Sequence, residues 1–483
     1  MSDQERNINQ ISDKNIENLT KLIPDSLPDE MKQALKSSVE NLIKEEAELS
    51  SIEEYVSKMN SDDIIISYYG LNRCRKLLSY TNLAQPTESL IEMILQANVL
   101  IKISDIAKNN SVPLLKYEAL WIICNIGCGT QKQIQKIIDN DGINILFLAL
   151  ESEYDQIIEL GVWALANISG DNIQFRDMLI NKGIVQPLIR LAQIYMSGNF
   201  QTFKTIVWAI SNLAKGKPTT TMYKKELILI LTEIIMNIDQ DDELLIDAIW
   251  GLSYLSEDDI YFNLFIQTGV ILKLSQLLHQ QKQTLIIPSL RILGNILTGN
   301  EEQTNQVLYT GILQIFDNLL KQNLNKKIRK EICWSLSNIA AGTPHQVKQI
   351  IKNDSLLKSI FRQLDSRIPE ITKEIAFFLS NTAIYAESQD LDYLVLSYGF
   401  IQKLAMLLDS EDKTVIQTSL EGFYEFLNKI IKDQRIQVYK QLIIDSNIIE
   451  KVEIQQNHQS SVVYEKANKI LELLEPEFHQ DDI

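Results

Sequence analysis

With 483 residues the chain is too long for one ordinary core, so it is either several domains or a repeat array. It is 45% hydrophobic with a mean hydropathy of −0.06, and its 17 glycines and 10 prolines are too few for a sheet-rich or low-complexity chain of this size. A formal net charge of −17 argues against a nucleic-acid surface and allows a basic partner, whose approach the field would speed, although solubility alone accounts for it equally.

Residues 1–50 read as an acidic segment with one amphipathic helix from about Pro28 to Glu46, its apolar stripe formed by Met31, Leu35, Val39 and Leu42. Pro28 suits the first turn, and the stretch ahead of it is expected to be mobile. The opening Met1-Ser2-Asp3-Gln4-Glu5 has neither a basic nor an apolar signal region, and no apolar run approaches the roughly 18 residues of a membrane span. Cys74, Cys124, Cys128 and Cys333 form no Cys-x-x-Cys and read as buried free thiols of a reducing compartment. A cytosolic or nuclear protein is expected.

From about Ser51 the chain becomes periodic. A Trp-x-x-x-Asn element anchors the period, at Trp121, Trp163, Trp208, Trp250, Arg291, Trp334 and Phe377, with separations of 42, 45, 42, 41, 43 and 43 residues. That is the period of two- or three-helix solenoid units. Some 19 to 22 residues after the anchor a glycine recurs, as Gly142, Gly183, Gly269, Gly311 and Gly399, where a tight corner between helices needs positive φ. Another marks the exit of the anchor helix, at Gly129, Gly170, Gly216, Gly299 and Gly342. A first repeat lies over residues 51–80, a ninth follows Phe400, and Ile449 to Leu474 makes a partial tenth that caps the array. Residues 51–474 are therefore read as one all-α solenoid of about ten repeats. It should curve, with the anchor helices along a concave face, and residues 475–483 form an acidic tail.

The anchor helices carry the chemistry. Their i−3, i and i+4 positions share one face. In sequence they read Glu118, Trp121, Asn125; then Trp163, Asn167, Asp171; then Trp208, Asn212; then Asp247, Trp250, Tyr254; then Arg291, Asn295; then Glu331, Trp334, Asn338; then Glu374, Phe377, Asn381. A lone tryptophan is more often a core residue than a ligand. Here the positions between Trp and Asn are already apolar, and Asn is a poor helix former and a poor core residue. Asn satisfying neighbouring backbone is the competing reading. A ladder of amides fixing an extended peptide, with indole faces clamping Lys or Arg stems, accounts better for the repetition. Asp171, Asp247, Glu257, Glu301, Glu331 and Glu374 would pair with the basic heads, although a single acid is usually a solvated charge. Arg291 interrupts the aromatic run, which suits two basic clusters joined by a spacer.

This succession resembles the importin-α (karyopherin-α) family of armadillo-repeat adaptors. Tyr254 stands for Asn in the fifth repeat and Arg291 for Trp in the sixth. Ser256-Glu257, Leu297-Thr298-Gly299, Gln303-Thr304, Asn338-Ile339-Ala340-Ala341-Gly342, Gln456-Asn457-His458 and Tyr464-Glu465-Lys466-Ala467 also match. The resemblance implies a right-handed armadillo superhelix that binds basic nuclear localisation signals of cargo and shuttles between cytoplasm and nucleus. It implies a larger site of Trp121, Asn125, Trp163, Asn167, Asp171, Trp208, Asn212, Asp247 and Trp250. It implies a smaller one of Asn295, Glu301, Thr304, Glu331, Trp334, Asn338, Glu374 and Asn381. It also implies importin-β, bound through a basic N-terminal arm, and an export receptor at the C-terminal repeats. Residues 1–48 carry no basic cluster to serve such an arm, so self-inhibition by charge is not expected. Phe377 in place of Trp should weaken the smaller site, and Ile134 and Leu160 stand where the family is polar. The alternative is an armadillo scaffold or chaperone-like binder of basic proteins outside importin-β-dependent transport.

No enzyme, cofactor, membrane or nucleic-acid reading finds its parts. His279, His345, His458 and His479 are scattered without metal-ligand spacing, and Gly127-Cys128-Gly129-Thr130 lacks the length and lysine of a phosphate loop.

Overall fold

A computed structural model describes residues 16–43, 45, 47–79, 88–238, 242–280, 282–322 and 324–476. Among these the regular structure is entirely helical. The packing divides the chain into two compact units, Met1–Leu255 and Ser256–Ile483.

In the first unit the anchor helices are Ile64–Ser79, Pro113–Ile126, Asp155–Asp171, Phe200–Ala214 and Asp242–Leu255, each packed on the next. In the second they are Gln283–Ile296, Lys326–Ala340, Pro369–Tyr385, Lys413–Lys432 and Ser461–Leu474, again packed in succession. Each also rests on the shorter second helix of its own repeat, as Phe200–Ala214 does on Val185–Tyr195 and Lys413–Lys432 on Phe400–Leu407. An anchor helix is thus covered on several flanks. That is why Thr205, Ile206, Val207, Ala209, Ile210 and Leu213, which span more than half the circumference of one helix, are all buried. Small residues let these helices approach. A Cβ on Gly251 would stand 3.0 Å from Ser211 Cα, and one on Gly422 would stand 2.9 Å from Ser380 Cα.

The corners obey the geometry more strictly than the residue type. Gly183, Gly269, Gly311 and Gly399 all have positive φ, as expected. At the first glycine marker it is Asp141 (φ 64°), one residue before Gly142, that turns left-handed, and Asn98, Tyr223 and Asn447 fill equivalent corners. Asn and Asp tolerate that region best after glycine. Three of the exit glycines serve a different need: Gln133, Gln303 and Gln346 reach back to close capping boxes with Thr130, Asn300 and Thr343. A Cβ at Gly129, Gly299 or Gly342 would meet those amide oxygens at 2.4, 2.2 and 2.0 Å.

The N-terminal segment is more ordered than its composition implies. It holds two helices, Ile16–Thr20 and Asp29–Leu42, and not one, and ahead of Pro28 the side chains of Leu19, Leu22 and Ile23 are packed; residues 1–15 lie outside the described set. Leu19, Leu22, Ile23, Leu35, Val39 and Leu42 are buried, and Leu114 N–H donates to Leu22 carbonyl at 3.1 Å. Lys76 Nζ donates to the carbonyls of Leu42, Ile43 and Glu45, and Arg73 pairs with the Glu45 carboxylate. The lysine thus satisfies carbonyls at the C-terminal end of Asp29–Leu42 that have no intrahelical partner. At the other end of the chain Glu475 and Pro476 are exposed, and the rest of the tail lies outside the described set.

Candidate peptide-binding ladder

Stacking buries the flanks of each anchor helix, and the stripe of i−3, i and i+4 positions stays open only in part, with Glu118, Trp121 and Asn125 all buried. In the first unit it is not uniform. Trp208 and Trp250 are half-buried, whereas Trp121 and Trp163 are only 2% and 1% exposed, with indole nitrogens that find no hydrogen-bond partner. The expectation of an open indole face at every rung therefore fails at these two. The Arg75 guanidinium lies 4.4 Å from the Trp121 ring centroid and Tyr117 meets that ring edge-on at 5.3 Å. Trp163 packs edge-to-face against Trp208 at 6.0 Å, so it fixes the ring that is more exposed.

The asparagines tie each rung to the one before. Asn125 Nδ2 donates to Ser79 Oγ at 3.2 Å, Asn167 Nδ2 to Cys128 Sγ at 3.2 Å and Asn212 Nδ2 to the Ala166 carbonyl at 3.0 Å. In the second unit Asn295 Nδ2 donates to Ser256 Oγ at 2.8 Å, Asn338 Nδ2 to Gly294 carbonyl at 3.2 Å and Asn381 Nδ2 to Ser337 carbonyl at 2.9 Å. The structural role weighed against peptide binding is thus present at every one of these positions. It uses one N–H, and a primary amide carries a second N–H and a carbonyl oxygen besides.

Among the acids, Asp171 is exposed at the end of its helix and accepts from Asn172 Nδ2 at 2.7 Å, and Asp247 is half-buried. In the second unit Glu331 is half-buried, 3.9 Å from Lys330, and Glu374 is buried. Burial, opposed by Lys330 and Lys373 and aided by the charge of Glu331, holds the Glu374 carboxyl above its usual range. A cation placed between the two glutamates would relieve both costs. Trp334 and Phe377 are half-buried there, and the Trp334 ring sits where a Cβ on Gly294 would come within 2.5 Å. Glu301 and Glu257 are exposed, but Thr304, one turn beyond Glu301, is 3% exposed and does not join the open stripe.

Two groups escaped the sequence reading. Arg75, Glu118 and Asn72 form a buried set over Trp121, with Arg75 Nε 2.5 Å from Glu118 Oε2 and Asn72 Nδ2 3.0 Å from Oε1. The run Arg73-Cys74-Arg75-Lys76 was the available signal. Glu159, four residues before Trp163, is buried with only Gln201 and Thr205 as hydrogen-bond partners, and desolvation pushes its carboxyl up to about 7. Burial likewise pushes the Cys74 and Cys333 thiols up to about 12 and Cys124 well above the ordinary range, so these are inert packing residues. Among the described residues no cluster of His, Cys, Asp or Glu suits a metal, and no helix is long and apolar enough to cross a membrane.

Stacked helical repeats with one polar–aromatic stripe define an armadillo-repeat binding protein. Residues 172–215 match the Armadillo/beta-catenin-like repeat family. An engineered protein of known structure superposes with a TM-score of 0.75 over 88% of this chain and 98% of its own, at 21% identity, a likeness of fold. The chain belongs to the importin-α family. It is 32% identical over 431 residues to importin subunit alpha-1a of Oryza sativa subsp. japonica, covering 88% of this chain and 80% of that one. It is 32% identical over 446 residues to importin subunit alpha-4 of Arabidopsis thaliana, covering 91% and 81%. Such a protein binds and does not catalyse.

Proposed function

We propose that this chain is a nuclear import adaptor whose anchor stripe holds basic nuclear localisation peptides in extended form, and that it moves between cytoplasm and nucleus with its cargo. The observation that supports it is the repetition of half-buried aromatic rings beside asparagine and carboxylate: Asp171, Trp208, Asp247 and Trp250 in the first unit, Glu331, Trp334, Glu374 and Phe377 in the second. Helices stack about 8–10 Å apart and an extended peptide advances about 3.3 Å per residue, so each repeat serves two or three peptide residues. A lysine stem lies on a ring while its ammonium reaches a carboxylate, and the amides anchor the peptide backbone. One basic cluster per unit fits this arrangement. The buried rings of Trp121 and Trp163 act as support and not as clamps in this reading.

The test is a titration of a labelled Lys-rich peptide, which should bind more weakly as salt rises and lose affinity on Trp208→Ala or Asp171→Lys. Indifference to both substitutions refutes the reading. Capture of importin-β by the full chain then separates a transport adaptor from a scaffold or chaperone for basic proteins, because the described N-terminal helices are acidic and Asp29–Leu42 is docked on the first repeat.

A further inference from the structure

We infer that the chain's own cations close the ladder at its outermost rungs, and that Arg75 and Lys466 thereby determine how far a basic peptide extends along each unit. The inference rests on the peptide-binding reading and goes beyond it. Its first observation is a rung that the spacing conceals. Helix Lys413–Lys432 carries Glu421, Tyr424 and Asn428 at i−3, i and i+4, and Tyr424 follows Phe377 by 47 residues, outside the usual period. The acid–aromatic–amide stripe therefore continues into the ninth repeat.

The second observation is what occupies it. Lys466, from the next anchor helix Ser461–Leu474, places its Nζ 4.3 Å from the Tyr424 ring centroid and 2.6 Å from Glu421 Oε2. The first unit repeats this at its own outer end. Arg75, from the preceding anchor helix, stands over Trp121 with Nε on Glu118, again the carboxylate at i−3. Two unrelated neighbours, one before and one after, thus fill the same two-point receptor with a cation. These are the contacts a peptide lysine would make with Glu331 and Trp334 or with Glu374 and Phe377, which hold the same i−3 and i positions. The two closures differ in permanence. Arg75 and Glu118 are 1% and 0% exposed, so that rung stays shut, whereas the Lys466 and Glu421 side chains are 19% and 38% exposed and lie where a ligand could compete.

Arg75 holds a buried carboxylate and its loss endangers folding, so the test is made at Lys466. A peptide with two Lys-rich clusters, carrying a photoreactive benzophenone at one end or the other, is cross-linked to the full-length chain and the adducts are mapped by mass spectrometry. In the wild type, adducts should fall on the helices of Trp334 and Phe377 but not on Lys413–Lys432. Lys466→Met, which keeps the stem and removes the charge, should add adducts around Tyr424. It should also raise affinity for a peptide with one extra terminal lysine on the order of three- to tenfold. Lys466→Arg should behave as the wild type, and Lys466→Met with Tyr424→Leu should lose the gain. Wild-type adducts at Tyr424 overturn the inference. So does a Lys466→Met pattern equal to wild type while the inner rungs still cross-link, which leaves the peptide-binding reading standing. Absence of peptide binding in every form refutes that reading and this one with it.

Discussion

Asn338→Ala separates the observed role of a ladder asparagine, the tie to the preceding rung, from the proposed one, the hold on a peptide backbone. Asn338 Nδ2 reaches the Gly294 carbonyl at 3.2 Å, and Gly294 lies in the last turn of Gln283–Ile296, where carbonyls lack an intrahelical partner. Removing the amide deletes a partly buried neutral hydrogen bond, about 0.5–1.5 kcal/mol of stability. For a cooperative unit of 150–250 residues that corresponds to a fall in Tm of roughly 1–6 °C. If the remaining N–H and the carbonyl oxygen also hold a peptide backbone, affinity should fall by a further ~1 kcal/mol, about fivefold. Calorimetric melting of the free protein and fluorescence anisotropy with a Lys-rich peptide read the two effects apart. A lowered Tm with unchanged affinity shows that the amide is a tie between repeats and nothing more. No change in either would refute both halves of the reasoning.

Glu159 makes stability fall as pH rises. Its folded pKa of about 7 lies above the ordinary glutamate value of 4.5, so the native state holds a proton that the unfolded state has lost across that window. The penalty is absent below about 4.5 and complete above about 7, on the order of 3 kcal/mol. Urea melts should therefore show Glu159→Gln more stable than wild type at pH 8 and converging with it toward pH 5; a pH-independent difference contradicts this. Gly294→Ala puts a methyl 2.5 Å from the Trp334 ring, so the indole must move. Its fluorescence should shift, and affinity should drop for a peptide whose only basic cluster is held by the second unit. Leu35→Ala opens a cavity under the docked N-terminal helix, where Leu35 is fully buried, and should cost about 2–5 kcal/mol. Limited proteolysis should then cut near residues 20–28 well before wild type; equal resistance would show that the helix contributes no packing.

Sequence alone determined the period, the helical character and the seven anchor positions from Trp121 to Phe377. Each follows from local chemistry repeated in register: an apolar helix, a corner that needs positive φ, an exit that needs no Cβ. Even so, the corner requirement is met by Asp141 one residue before Gly142, and the N-terminal segment, read as one amphipathic helix, holds a second whose Leu19 is buried. What only tertiary structure decided is which rungs are open. Trp163 and Trp208 share one motif, yet the first is buried by its neighbour and the second is not, because exposure is set by the adjoining repeat. The partners of the asparagines lie 39 to 46 residues away, and the cations on Trp121 and Tyr424 come from neighbouring helices. A pattern read along the chain sees that a rung exists. It does not see what the next helix lays upon it.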